Sequence, residues 1–288
     1  MNINVIHPDF GARVSGIDLS LPLHTDRVNQ IHNLIDKYSF LCFPNQGLSD
    51  EKQFDLTQKL GDPEPNHVKL GQEGVIEYFG TIGNVLDDGT VLNNQDKRII
   101  FQTGNNMWHT DSSFQKIPTY VSIMGVKEVP DEGGQTEFAS CRSAFERLSS
   151  DMKEKIDKLI AIHSYKFSRS KVSADAVTPS HAASLPPVKQ KLVRLNLKVN
   201  RKNYFIGSHA ERIEGWRIDE SRELLDDLLY KATQKKHVYS HEWCPGEVVI
   251  WDNRCLIHRG VGYDASKYRR RMRQTRVKGL CPTIDEDT

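Results

Sequence analysis

The chain has 288 residues, 38% hydrophobic and 27% charged, with a formal net charge of +1. That is an ordinary globular composition, and it excludes the strongly basic field expected of a nucleic-acid or acidic-membrane binder. The five cysteines lack CxxC spacing, there is no transmembrane run, and Met1–His7 lacks the form of a signal peptide, so no disulfide framework is expected and a cytoplasmic location is.

Asp9 to Ser20 reads as strand, turn and strand. Thr25 is placed to cap a helix carrying Val28, Ile31, Ile35 and Tyr38 at helical spacing. Phe40 to Phe43 is a buried strand, and Ser49 caps a second helix with Asp50 and Glu51 in its first turn. Gly61-Asp62-Pro63 ends that helix. Strands are predicted at Val75–Phe79 and Arg98–Gln102, with Asn84–Gln95 as a surface loop between them.

Tyr120–Val126 and Thr136–Ala139 read as strands around the turn Pro130–Gly134. Helices are predicted near Ser143–Leu148 and Ser150–Ile160. Residues 168–187 form a long polar stretch with three prolines, the pattern of a functional loop, and a lid or insert is expected there. Leu192–Val199 and Tyr204–Ile206 read as a hairpin, and Asp219 caps a helix rich in leucine. The chain ends in extended segments at His237–Trp243, Val248–Trp251, Cys255–His258 and Arg269–Val277. The pattern favours one α+β domain spanning 1–288, with a β-sandwich or barrel core.

Within Trp108-His109-Thr110-Asp111-Ser112-Ser113-Phe114, His109 and Asp111 share one face if the segment is extended. They can then aim an imidazole and a carboxylate at one divalent metal. A strand-end pair bonded to backbone is the competing explanation, and a third ligand decides between them. His258, after the apolar strand Val248–Trp251, is the candidate. Two histidines and one carboxylate leave open positions on a metal, the facial arrangement suited to Fe(II) and O2; structural zinc calls for four ligands, thiolates among them.

The ordered set of motifs resembles the TauD/TfdA family of Fe(II)/2-oxoglutarate-dependent dioxygenases across nearly the whole chain. It comprises Phe10 to Leu19, Phe54 to Glu64, Trp108 to Phe114, Gly133 to Phe138, Trp251 to Arg254 with His258, and Tyr263-Asp264. Trp-His-x-Asp-Ser-Ser-Phe and His-Arg-Gly-x-x-Tyr-Asp bring it nearest the 2,4-dichlorophenoxyacetate branch. The resemblance implies a double-stranded β-helix, or jelly-roll, core with flanking helices. It implies Fe(II) held by His109, Asp111 and His258, with 2-oxoglutarate and O2 as co-substrates. It also implies a homo-oligomer, a small-molecule substrate, and no nucleic-acid or membrane partner.

The distal carboxylate of 2-oxoglutarate needs a bidentate cation, and arginine suits it; the resemblance adds the Thr136 hydroxyl. Met272 sets the core-facing parity of the last strand. That parity turns Arg270 and Gln274 inward and leaves Arg269, Arg271 and Arg273 on a solvated face. Arg270 is the expected anchor and Arg269 the fallback. Gln274 stands where sulfonate-handling members carry a second inward arginine.

Substrate-side candidates are Asn105, His67, Lys69 and His209. The expected reaction hydroxylates a small carboxylate, with an aryloxyalkanoate in view, and cleaves its ether through a hemiacetal. The rivals are the same cofactors acting on a sulfonate, on a sulfate ester or in a desaturation, and a metal-binding jelly-roll protein without catalysis.

Overall fold

The computed structural model describes residues 1–66, 77–172 and 183–286. The first half contains β1 (Asn2–Val5), β2 (Ala12–Ser15), α1 (Thr25–Tyr38), β3 (Phe40–Phe43), α2 (Asp50–Leu60), β4 (Gly80–Gly83), α3 (Lys97–Gln102), β5 (Thr119–Glu128) and β6 (Thr136–Ser140). Then come α4 (Cys141–Glu146), α5 (Ser150–Ile156), β7 (Ile160–His163), α6 (Tyr165–Ser170), β8 (Val188–Lys191), β9 (Val193–Asn196), β10 (Arg201–Tyr204) and β11 (Ala210–Ile213). The chain closes with α7 (Ile218–Ala232), β12 (Val238–His241), β13 (Val248–Asp252), β14 (Leu256–Gly260) and β15 (Arg271–Lys278).

A seven-stranded sheet runs β1-β2-β3-β13-β5-β15-β4, and a three-stranded sheet runs β12-β6-β14. Their facing surfaces share one core of Phe40, Cys42, Met124, Val126, Val249, Trp251 and Met272 against Phe138 and Leu256. Alternate residues of the same strands, Leu41, Phe43, Ile123, Val248 and Ile250, pack on α1 and α2 through Ile31, Ile35, Leu56 and Leu60. This period-two division makes the large sheet the centre of a layered α+β fold. The outer side of the small sheet is covered by α4 and α7, through Ala144, Leu224, Leu225 and Leu228.

Ser49 caps α2 as expected, its hydroxyl accepting from the Lys52 amide at 3.2 Å. Several expectations are corrected. Arg98–Gln102 is not a strand but lies in α3, because Asp96 accepts from the Arg98 amide at 2.8 Å and starts a helix there. The predicted strand at Val75–Phe79 is partly outside the described residues; the strand found there begins at Gly80. The helix from Ser150 ends at Ile156, and Ile160 begins β7, which pairs with both β8 and β11. The start of the expected lid is helical, with Ser168 and Arg169 buried in α6; residues 173–182 lie outside the described residues.

The last strand keeps the expected parity at Arg270, Met272 and Gln274, all buried. Arg273, however, is not solvated. It lies under the start of α2, paired with Asp50 at 2.8 Å and stacked over the Phe79 ring. The start of α2 covers the outer face of this strand, which strand parity alone does not reveal.

Candidate functional site

His109 and His258 are joined by their backbones. His109 N donates to His258 O at 2.9 Å and His258 N donates to His109 O at 2.8 Å. This isolated bridge brings the two rings to 4.2 Å between centroids. The ring Nδ1 of His109 lies 2.7 Å from the Met107 carbonyl. A carbonyl only accepts, so Nδ1 carries the proton and Nε2 keeps its lone pair.

Both Nε2 atoms lie 3.7 Å from Asp111 Oδ1. These are not ion pairs. Burial lowers the pKa of His109, and burial, with His109 alongside, lowers that of His258 to about 3. Both rings are therefore neutral at pH 7. Asp111 is held below the usual carboxylate range: burial opposes its ionisation, but His258, His109, Arg276 and the Ser122 hydroxyl outweigh it.

The second oxygen of Asp111 is fully engaged. Oδ2 accepts from Ser122 Oγ at 2.5 Å and from Gln274 Nε2 at 2.9 Å. Ser122 is on β5 and Gln274 on β15, so the large sheet aims Oδ1 at the two imidazoles on the small sheet's side. Asn253 fixes the connecting turn. Its side-chain oxygen accepts from the Asp111 amide at 3.1 Å and from Trp251 Nε1 at 3.2 Å, and its Nδ2 donates to Ser122 Oγ at 2.9 Å.

One ligand atom from each of His109, Asp111 and His258 falls within 4.8 Å of the others. Two neutral imidazoles and a carboxylate form a donor set that fits a divalent first-row metal. Cys42, His241 and Glu247 form a second such group, but it is closed on itself. Glu247 Oε1 is 2.8 Å from His241 Nε2 and accepts from the Cys244 amide at 2.9 Å, while Oε2 accepts from the Cys42 thiol at 3.3 Å. Burial and the Glu247 charge push the Cys42 thiol up to about 12, so the sulfur stays protonated.

Arg270 is 7% exposed. Its Nη2 donates to the Gly134 carbonyl at 3.3 Å, and its Nε has no hydrogen-bond partner among the described residues. Burial brings its pKa down to about 10, partly offset by Tyr263, so it is cationic at pH 7. Its backbone is clamped by Asn84, whose Oδ1 accepts from the Arg270 amide at 2.8 Å. Gly134 has φ +73°, and a Cβ there would strike Pro130 and come within 3.6 Å of Arg270 Nε, so glycine lets the turn close on the guanidinium. Thr136 Oγ1 accepts from Trp243 Nε1 at 3.1 Å. Arg269 points away and pairs with Glu128 at 2.6 Å on the surface.

Asn105 stands in a 3-10 turn at Thr103–Asn106, its Oδ1 accepting from Arg169 Nη2 at 3.4 Å. His209 is buried, its ring edge-on to His109 at 6.5 Å and 4.7 Å from Phe114. His67 and Lys69 lie outside the described residues. Ser122 and Asn253 were not singled out as site residues from the sequence; the sole signal for Asn253 was its place in Trp251-Asp252-Asn253-Arg254. His163 is buried in β7 with Nδ1 3.0 Å from Ser113 Oγ.

Two surface clefts, of about 560 and 460 Å³, lie elsewhere, one around Trp216 and Lys155 and the other between Leu21 and Lys59. Neither includes a residue of the His109–Asp111–His258 cluster.

The layered fold and this cluster define a family. The model for "Taurine catabolism dioxygenase TauD, TfdA family" matches residues 2–276. The chain belongs to the TauD/TfdA family. It is 37% identical over 275 residues to the alpha-ketoglutarate-dependent 2,4-dichlorophenoxyacetate dioxygenase of Cupriavidus pinatubonensis, covering 94% of this chain and 96% of that one. It is 32% identical over 278 residues to the (S)-phenoxypropionate/alpha-ketoglutarate-dioxygenase of Sphingobium herbicidovorans, covering 94% and 92%. Among solved structures, AAD-2 in complex with Mn(II) and N-oxalylglycine matches with a TM-score of 0.91 and 34% identity, over 99% of this chain and 100% of that one.

Proposed function

We propose that the chain is an Fe(II)- and 2-oxoglutarate-dependent dioxygenase that oxidises a small carboxylate of the aryloxyalkanoate type. His109, Asp111 and His258 would hold the iron. Arg270, with Thr136 beside it, would hold the distal carboxylate of 2-oxoglutarate. The two facing sheets would be the halves of a jelly-roll core, and residues 1–288 one domain. The observation that carries the reading is a buried cation without a carboxylate partner among the described residues, Arg270, in one core with a metal-competent triad. Neither feature has a structural reason to be left in this state without a ligand.

When bound, iron and 2-oxoglutarate supply an O2-dependent oxidation of an unreactive C–H bond, with succinate and CO2 as coproducts. The protein's part is binding and orientation. The Met107 carbonyl keeps the His109 Nε2 lone pair available. Ser122 and Gln274 saturate Asp111 Oδ2 and leave Oδ1 to the metal side. Arg270 can offer its free Nε–H to a carboxylate in a medium where that bond is strong. Where the hydroxylated carbon bears an ether oxygen, the product is a hemiacetal, which collapses and breaks the ether.

Gln274 argues against a sulfonate or sulfate ester held from that position, because its amide is already committed to Asp111. The test is succinate release with Fe(II), 2-oxoglutarate and phenoxyacetate, run beside sulfonates and sulfate esters. Turnover is expected with phenoxyacetate and loss of it in His109→Ala and Asp111→Ala. Iron-dependent turnover that survives either substitution would remove the triad from the reaction.

A further inference from the structure

Five arginines are buried among the described residues: Arg142, Arg169, Arg194, Arg270 and Arg273. Three of them face a carboxylate, Arg142 at Asp252, Arg194 at Glu286 and Arg273 at Asp50. Arg169 and Arg270 have no such partner among the described residues. One is accounted for by 2-oxoglutarate. The other, Arg169, is 8% exposed and its contacts are with neutral groups. Nη1 donates to the Phe101 carbonyl at 3.2 Å and Nη2 to Asn105 Oδ1 at 3.4 Å, and the neutral Tyr165 hydroxyl is its remaining hydrogen-bonding neighbour.

Arg169 also sits toward the metal site. Its charge helps to lower the pKa of His109, and the Asp111 carboxylate raises its own against the larger effect of burial. The guanidinium lies over two rings, Phe101 at 4.7 Å and Tyr165 at 5.4 Å. Tyr165 stacks on His209 at an interplanar angle of 13°, and Phe114 is 4.7 Å from both of them. His209 is in turn edge-on to His109. A row of aromatic rings thus runs from the cation to the triad. Gly104 leaves room for the guanidinium, since a Cβ there would collide with Nη1.

We infer that Arg169 is the substrate-carboxylate anchor, holding an aryl acid whose ring lies along Phe114, Tyr165 and His209. The inference rests on the dioxygenase reading and adds the recognition group to it. A guanidinium fork matches a carboxylate in two parallel bonds, and a planar cation on aromatic faces suits an aryl ligand. Gln274, spent on Asp111, cannot serve as this anchor. Asn105 takes a positioning role, holding Nη2 through its side-chain oxygen.

The test is anaerobic calorimetric titration of enzyme loaded with Fe(II) and 2-oxoglutarate, using phenoxyacetate and its uncharged analogue 2-phenoxyethanol. Wild type is expected to prefer the acid by at least about tenfold, and Arg169→Met to weaken acid binding by about 30-fold or more, the usual loss on truncating a buried charge pair. Phenoxyethanol and 2-oxoglutarate affinities should stay within about threefold of wild type, because neither uses the Arg169 fork. Should Arg169→Met not fold, Arg169→Lys decides: loss of the planar fork is expected to weaken the acid about fivefold and spare the alcohol. Wild type without acid preference, a folded variant with unchanged acid affinity, or a variant that loses 2-oxoglutarate as much as the acid would each overturn the assignment. Succinate release by wild type reports on the dioxygenase reading separately, since acid-over-alcohol selectivity does not require turnover.

Discussion

Gln274 Nε2 donates to Asp111 Oδ2 at 2.9 Å, on the same oxygen that receives the Ser122 hydroxyl at 2.5 Å. The side chains come from neighbouring strands, β15 and β5. Together they fix the carboxylate's rotation, so that Oδ1 alone faces the two imidazoles. Replacing Gln274 by Leu keeps the bulk and deletes the donor. The Fe(II) concentration for half-maximal succinate release is expected to rise about tenfold or more, the usual effect of losing a bond that orients a metal ligand. The 2-oxoglutarate requirement should hardly move. An unchanged iron requirement would show that Ser122 suffices.

Arg270 and Arg269 are adjacent in sequence and opposite in environment. Arg270→Ala should raise the apparent 2-oxoglutarate requirement by about 30-fold or more, as expected for a buried charge-assisted contact. Arg269→Ala removes an exposed pair with Glu128 and should change it by less than about threefold. Steady-state kinetics in 2-oxoglutarate would separate them, and the reverse order would place the anchor on the other parity of the strand.

These two arginines show what was legible in the sequence. Parity on a strand is a local property, and Met272 sufficed to turn Arg270 and Gln274 inward. Parity does not place Arg273, because whether the outer face is solvated depends on α2, more than two hundred residues earlier. His109-x-Asp111 with a distant His258 was visible as residue types, and the structure supplies the backbone bridge between the histidines. Asn253 and Ser122 were not legible as site residues: a buried amide and a hydroxyl carry no spacing signal, and their role arises where β13, β5 and the turn at Thr110 meet. Arg169 was hidden for a similar reason. It lies in a polar run that reads as a loop, while its burial comes from α3 and the 3-10 turn after it.

Asn253→Ala would strip partners from the Asp111 amide, Trp251 Nε1 and Ser122 Oγ together. Buried donors left unpaired cost about 1–3 kcal/mol each, though relaxation makes them less than additive. A loss of about 2–4 kcal/mol is expected, read as a lower midpoint in denaturant. Iron affinity should fall as well, because the Asp111 turn loses its tie. A variant as stable as wild type would mean that water replaces the amide.

His163 provides a pH test away from the metal ligands. Its ring is fully buried in β7, parallel to Phe205 at 5.4 Å, with Nδ1 on Ser113. Burial lowers its pKa from 6.5 to about 3, and the Phe205 backbone only partly offsets this. Between those values the unfolded chain binds a proton that the folded chain refuses. The stability from a neutral His163 is therefore complete above pH 6.5 and is lost as pH falls toward 3, at up to about 1.4 kcal/mol per pH unit. Denaturant unfolding of the iron-free protein at pH 7, 6, 5 and 4 should show this decline. His163→Gln, which cannot titrate, should be less stable at pH 7 yet lose less between pH 6 and 4. Parallel pH profiles for the two proteins would show that His163 takes up its proton without unfolding.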